Sequence, residues 1–346
     1  MKILSDDEVT EFLNSNLSKD SILDTFQPTL LDALQNYQKN PESIPPRVVQ
    51  QSLKSDTTHL FMPCVSPEEV GIKLISGGPS NTQRGLGFQG AILVLDEDSG
   101  ALKGVVNAKT ITAFRTALAT SLAMTAVLDP RDTALALLPS IAVFGVGAQA
   151  YWHIKLALAL YNNVKNVKII NRTIENANEL KQRMCQEFSN INFETYSYDQ
   201  VRSEDIQQCS IIFGCTPSTT PVIKENYINT DKKYKKFIGL IGSYKPHMIE
   251  LDLNFILKEY KNPPNRTKII VDSKQHALHE AGELIQSGID ATQLVELTEL
   301  SKANLNDLTT EDNITVSKIV GLSIMDISMA KFVLKESKNG VNIEEF

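Results

Sequence analysis

The sequence predicts an α/β protein: a doubly wound parallel sheet set within an α+β part. Three observations predict it. Beyond residue 140, short apolar runs alternate with helical patterns, the rhythm of a parallel sheet flanked by helices. Before residue 108, strand-like runs follow one another across turns, which predicts hairpins and a mostly antiparallel sheet. Between these lies Ser140-Ile-Ala-Val-Phe-Gly-Val-Gly-Ala-Gln-Ala150, an apolar strand running through a G-x-G-x-x-A turn into a helical pattern. A length of 346 residues suits about two domains.

The elements follow in order. Ser5-Asp-Asp-Glu8 has the form of a capping box ahead of Val9, Phe12 and Leu13. A second helical pattern covers about 21–37, and Pro41, Pro45 and Pro46 end it. Strands are predicted at 47–49, 57–62, 70–75 and 90–95. Asp96-Glu-Asp-Ser-Gly100 then turns the chain into a strand at 102–107. A helix over about 110–128 bridges to the second part. There, strands are predicted at 141–144, 167–170, 193–197, 210–215, 237–241 and 268–271. Helices are predicted from the glycine turn to about 161, over 175–188, and briefly near Val201. A last helix is predicted over about 315–334, with Ile319, Leu322, Ile324 and Ile327 among its apolar positions.

Composition excludes several function classes. A net charge of −7 and a pI near 5.4 argue against a nucleic-acid partner. No apolar run reaches the roughly 18 residues of a membrane span, and the acidic start lacks the apolar core of a secretory signal. Cys64, Cys185, Cys209 and Cys215 show no C-x-x-C spacing, so they read as reduced structural thiols of a cytoplasmic protein. His276 and His279 could share a helix face, but no third ligand stands near them, so no metal site is expected.

The glycine turn is the phosphate loop of a dinucleotide-binding βαβ unit. Gly145 permits the turn, Gly147 lets the backbone approach a pyrophosphate, and Ala150 lets helix and strand pack closely. Val146, Ala148 and Gln149 complete the loop, whose helix offers unpaired N–H groups to the anion. About twenty residues on, the next strand ends in Asn171-Arg172-Thr173. A loop preferring NAD places Asp or Glu there for the ribose 2′-OH. Arg172 can instead pair with a 2′-phosphate, with Asn171 and Thr173 hydrogen-bonding to it, so NADP is expected and NAD is the alternative. The competing account makes Arg172 a solvated surface residue and Thr173 a plain helix cap. Thr216 and Pro217 open Thr216-Pro-Ser-Thr-Thr-Pro221 after an apolar strand. That loop is either a simple turn or one wall of the cofactor crevice.

Several further segments, taken in order, point to one family. They are Pro45-Pro-Arg47, Met62-Pro63, Gly71-Ile-Lys73, Thr112-Ala-Phe-Arg115-Thr-Ala117, the glycine turn with His153, Asn171-Arg-Thr173, the Thr216 loop, Glu250-Leu-Asp252, Val271-Asp-Ser273, Glu280-Ala-Gly282, and Ile314-Thr-Val with Gly321 and Asp326. The chain resembles the ornithine cyclodeaminase/mu-crystallin family over nearly its whole length. The resemblance implies a Rossmann domain, residues 117–313, inserted into a substrate-binding and dimerisation domain formed by 1–116 and 314–346. It also implies a homodimer and a small carboxylate-bearing substrate.

Arg47, Lys73 and Arg115 match the family's substrate-site positions. An Arg fork can hold a carboxylate in bidentate fashion, and a partly desolvated lysine can exchange protons near neutral pH. Two departures stand out. Cyclodeaminases of this family carry a catalytic Asp where this chain has Tyr244, flanked by Ser243 and Lys245. Ser317 and Ile319 stand where the family commonly has Phe and Ser. The resemblance therefore implies an NADP-dependent oxidoreductase of amino-acid metabolism, reducing a small imino or keto acid as a ketimine reductase or amino-acid dehydrogenase does. Lys73 and Tyr244 are the candidate catalytic groups. The alternatives are a cyclodeaminase-type lyase and an NADPH-dependent ligand-binding protein of the mu-crystallin type.

Overall fold

The computed structural model describes residues 1–262, 267–303 and 305–344. Contacts divide the chain into two compact units, Met1–Arg115 with Gly321–Phe346, and Thr116–Val320.

The first unit is built on a seven-stranded sheet. Its strands are β1 (Lys2–Leu4), β2 (Val48–Gln51), β3 (Thr58–Val65), β4 (Val70–Gly77), β5 (Gln89–Leu95), β6 (Leu102–Asn107) and β15 (Val341–Asn342), ordered β15-β1-β6-β5-β4-β3-β2. Only β1 and β6 pair in parallel; the other neighbours are antiparallel. The turn between β5 and β6 forms as the sequence predicts: Asp96 accepts from the amides of Asp98 and Ser99, and Gly100 takes φ +72°. Helix α1 (Asp6–Ser15) starts at the capping box, with Ser5 N donating to Glu8 Oε2 at 2.8 Å. Helix α2 (Gln27–Lys39) carries a proline in its first turn, where no N–H is lost. Phe26, just ahead of α2, stacks edge-on against Phe114 and Phe332.

The second unit holds eight strands, all paired in parallel: β7 (Ser140–Phe144), β8 (Asn166–Asn171), β9 (Asn192–Ser197), β10 (Cys209–Gly214), β11 (Lys236–Leu240), β12 (Ile269–Val271), β13 (Leu294–Glu296) and β14 (Ile314–Lys318). Their order is β13-β12-β14-β11-β10-β7-β8-β9. The chain winds outward from β7 to β9, then back past β7 to β10 and β11, so the direction of winding reverses between β7 and β10. This is the Rossmann-like doubly wound sheet that the alternation of runs predicts. Every residue of β7, β10 and β11 is buried, as expected of strands covered on both faces. Helix α3 (Ala108–Val127) contributes residues to both units. Helices α4 (Ala148–Leu160) and α5 (Ile174–Glu187) follow β7 and β8.

The last predicted helix needs correction. Residues 314–318 form β14, and helix α5's counterpart at the end of the chain, α6 (Ser323–Glu336), begins later. The β-branched run Ile314-Thr-Val favours a strand, and Gly321 at φ +91° breaks the chain before the helix. The contact boundary falls after Val320. No helix among the described residues is long and apolar enough to cross a membrane.

Candidate functional site

In the first unit, two cations share one carboxylate and a third lies beside them. Strand alternation sets the first: Gly71, Lys73 and Ile75 lie on the buried face of β4, with Ile72 and Leu74 on the other. Lys73 is 1% exposed, and its Nζ donates to Asp326 Oδ1 at 2.8 Å. Arg115 Nε donates to the same oxygen at 2.9 Å. Arg47 Nη2 donates to the carbonyl of Gly321 at 3.1 Å. Gly321 gives Arg115 its room, because a Cβ there would stand 2.5 Å from Arg115 Nη1.

Two buried atoms of this group, Arg115 Nη1 and Asp326 Oδ2, have no hydrogen-bond partner among the described residues. Burial pushes the Lys73 pKa down to about 8; Asp326 resists that fall, and the Arg115 and Arg47 charges add to it. The three basic residues singled out in the sequence are thus brought together. Asp326, which balances them, was not singled out as a site residue. Its signal was a lone carboxylate within the apolar run Ile324-Met-Asp-Ile-Ser-Met329, where an unpaired charge is not tolerated.

In the second unit, the glycine turn leaves β7 with Gly145 at φ +109°. A Cβ at that position would stand 2.5 Å from the Cys215 carbonyl oxygen. Gly147 is the N-cap of α4 and supplies no side-chain cap to the first amides. A Cβ on Gly147 would meet nothing within 4 Å, so open space lies against the start of the helix. Ala150 is fully buried, as close helix–strand packing requires. This cradle fits a pyrophosphate. Val146, Ala148 and Gln149 lie in this turn and at the start of the helix.

At the end of β8, Asn171 Nδ2 donates to the Thr173 carbonyl at 2.9 Å. Thr173 occupies the N-cap of α5 without a side-chain capping bond, so the plain-cap account of its hydroxyl does not hold. Arg172 is exposed and forms no ion pair among the described residues, which leaves its guanidinium open to a phosphate.

Thr216 is buried, and its amide and hydroxyl both turn to Glu250 Oε1, at 2.7 and 3.2 Å, while Pro217 is exposed. Tyr244 is half-buried in the turn after β11; burial raises its phenol pKa, and Lys245 Nζ lies 5.7 Å from the ring centre. His153 is buried in α4, accepting at Nε2 from Thr120 Oγ1 and donating from Nδ1 to the Gln149 carbonyl. His276 and His279 are hydrogen-bonded within their own helix, and no cluster of three metal-ligating side chains exists among the described residues.

The chain is similar to known proteins along its length. An uncharacterised protein of Saccharomyces cerevisiae is 34% identical over an alignment of 374 positions, covering 99% of both chains. The ketimine reductase mu-crystallin of Rattus norvegicus is 27% identical, covering 97% of both. Among solved structures, the Delta(1)-pyrroline-2-carboxylate reductase of Thermococcus litoralis, determined with NADH and L-proline, superposes with a TM-score of 0.77 at 24% identity. That superposition covers 99% of this chain and 100% of the other. The profile of the ornithine cyclodeaminase/mu-crystallin family matches residues 12–340. The chain belongs to the ornithine cyclodeaminase/mu-crystallin family.

Proposed function

We propose that this protein is an NADP-dependent oxidoreductase that reduces a small imino or keto acid, with NAD as the weaker cofactor. The observation that carries the proposal is the buried group of Lys73, Arg115 and Asp326 with Arg47 beside it. Lys73 and Arg115 share the single carboxylate of Asp326, which leaves an excess of positive charge that a substrate carboxylate would offset. The names of the ketimine reductase and pyrroline-2-carboxylate reductase relatives support an imine as the reducible group.

Arg47 and Arg115 would hold the substrate carboxylate and fix its orientation. Lys73, with a pKa near 8, is poised to deliver a proton at neutral pH to the nitrogen or oxygen of the reducible bond. Tyr244 is a second candidate donor, since burial keeps its phenol protonated. The Gly145–Gln149 turn and the uncapped start of α4 would hold the pyrophosphate, and Asn171, Arg172 and Thr173 the phosphorylated ribose. When bound, the nicotinamide supplies the hydride to the C=N or C=O carbon.

The exposed Val48, Val49, Phe61 and Val65 of β2 and β3 support a homodimer formed through this sheet. The four free cysteines support a reducing, cytoplasmic compartment. Incubating the protein with NADPH and a cyclic imino acid tests the activity. Loss of NADPH absorbance with formation of the amino acid supports it. NADPH binding and carboxylate binding without any turnover would favour the ligand-binding alternative instead.

A further inference from the structure

Beneath the carboxyl ends of β10 and β11 lies a buried charged group that the proposed chemistry does not use. Glu250, Glu283 and Lys318 are all fully buried. Glu250 Oε1 accepts from Thr216 N at 2.7 Å, and Oε2 accepts from Gly242 N at 2.6 Å and Ser243 N at 3.1 Å. Thr216 begins the loop after β10, whereas Gly242 and Ser243 begin the turn after β11. One carboxylate therefore holds the amides of two neighbouring loops. Lys318 donates to Ser243 Oγ, which donates to Glu283 at 2.6 Å, and Glu283 accepts from Glu250 N at 2.6 Å. The latch is thus fixed from below.

The same loops touch through their backbones. A Cβ on Gly242 would lie 2.1 Å from the Thr216 carbonyl oxygen, so only glycine allows this approach. On the other side, Cys215 N donates to the Phe144 carbonyl at 2.8 Å and the Cys215 carbonyl packs against Gly145. The phosphate turn, the Thr216 loop and the Tyr244 turn thereby form one continuous backbone surface along the ends of β7, β10 and β11. In a doubly wound sheet a dinucleotide lies across the point where the winding reverses. The ribose-binding residues lie at the end of β8, so the nicotinamide half belongs on the β10 and β11 side.

We infer that Glu250 is a positioning residue that latches the Thr216 and Tyr244 loops together and so sets the binding surface for the nicotinamide half of the cofactor. The inference rests on the proposed dinucleotide function. A carboxylate suits the role because, when ionised, it only accepts, whereas the three backbone amides and the Thr216 hydroxyl that face it are donors. An amide in its place would turn a donor toward donors.

The test compares two ligands on the whole protein by fluorescence titration: NADPH, and 2′-phospho-ADP-ribose, which lacks only the nicotinamide ring. Glu250→Gln should weaken NADPH binding about tenfold or more while leaving 2′-phospho-ADP-ribose within about twofold. Gly242→Ala, which forces the two loops apart without touching a charge, should give the same split and keeps the test open if Glu250→Gln does not fold. Glu283→Gln, in the same buried group but not bonded to the loop amides of Thr216 or Gly242, should lower the melting temperature more than it alters the ratio of the two affinities. Equal weakening of both ligands in Glu250→Gln or Gly242→Ala, or no weakening of either, overturns the latch. Failure of the unmutated protein to bind either ligand would overturn the dinucleotide reading itself.

Discussion

The Asp326 oxygen that accepts from Lys73 Nζ at 2.8 Å is the same one that accepts from Arg115 Nε at 2.9 Å. Lys73 therefore holds its counter-ion in competition with a guanidinium that never gives up its charge. Its proton is released near pH 8, well below that of a free lysine.

Reductive turnover should decline as the pH rises through about 8, because it needs the ammonium form as donor, and the reverse oxidation should increase over the same range. Asp326→Asn removes the charge that favours the ammonium, so the inflection should move to lower pH. The variant should also lose about 3–5 kcal/mol of stability, since it strands two buried cations. The pH profile of kcat/KM checks the first claim and urea unfolding the second. An inflection left at the same pH would remove Lys73 from the proton-transfer role.

Arg47→Ala and Arg115→Ala should each weaken carboxylate ligands while leaving NADPH affinity unchanged. Lysine at either position should rescue poorly, since it lacks the planar fork. Gly321→Ala should resemble Arg115→Ala, because the added methyl collides with the guanidinium. Isothermal titration with a small imino-acid analogue gives the comparison, and parent-like affinity in either arginine variant would withdraw that residue from the site.

Arg172 has no acidic neighbour in its turn, so NADPH should bind more tightly than NADH. Arg172→Ala should erase most of that difference, roughly 1.5–3 kcal/mol or about one to two decades in affinity. Equal affinity of the unmutated protein for both cofactors would count against the role of Arg172.

Ornithine should not be converted to proline at a useful rate. That reaction needs a base ionised at neutral pH, and a free phenol is ionised only to about one part in a thousand at pH 7. Burial of Tyr244 raises its pKa further, in the unhelpful direction. Proline and ammonia formed from ornithine with catalytic NAD, in the absence of imine reduction, would reverse the ranking of reductase over lyase.

His153 should make the second unit acid-sensitive. Burial lowers its pKa from 6.5 to about 4. Below pH 6.5 the unfolded chain takes up a proton that the folded chain refuses until about pH 4. Stability should therefore fall between those limits and level off below, by on the order of 3 kcal/mol. His153→Gln should flatten that limb in denaturant titrations across the same pH range.

The parallel sheet is legible because its central strands β7, β10 and β11 are fully buried and read as largely apolar runs. Strand β14 stands where the sequence predicts the start of a helix. Its sequence, Ile314-Thr-Val-Ser-Lys318, carries three polar residues, and the burial of Lys318 rests on partners distant in sequence, Ser243 and Glu283. Arg47, Lys73 and Arg115 were legible only through the family resemblance, since a basic residue alone reads as surface. Asp326 and Glu250 define their surroundings through contacts over long sequence separations, Lys73 to Asp326 and Glu250 to Glu283, and no local pattern encodes such pairing.

Strand β14 lies between β11 and β12, yet it is the last of the eight strands to be synthesised. On a ribosome, β12 and β13 emerge before the strand that joins them to the rest of the sheet. The edge of β11 must stay unpaired until residues 314–318 leave the exit tunnel, and an open parallel edge is a template for wrong partners. Folding of the second unit therefore waits on residues 314–318. A nascent chain stalled shortly before residue 314 should remain protease-sensitive throughout 267–303, although nearly all of the unit's sequence has already been made.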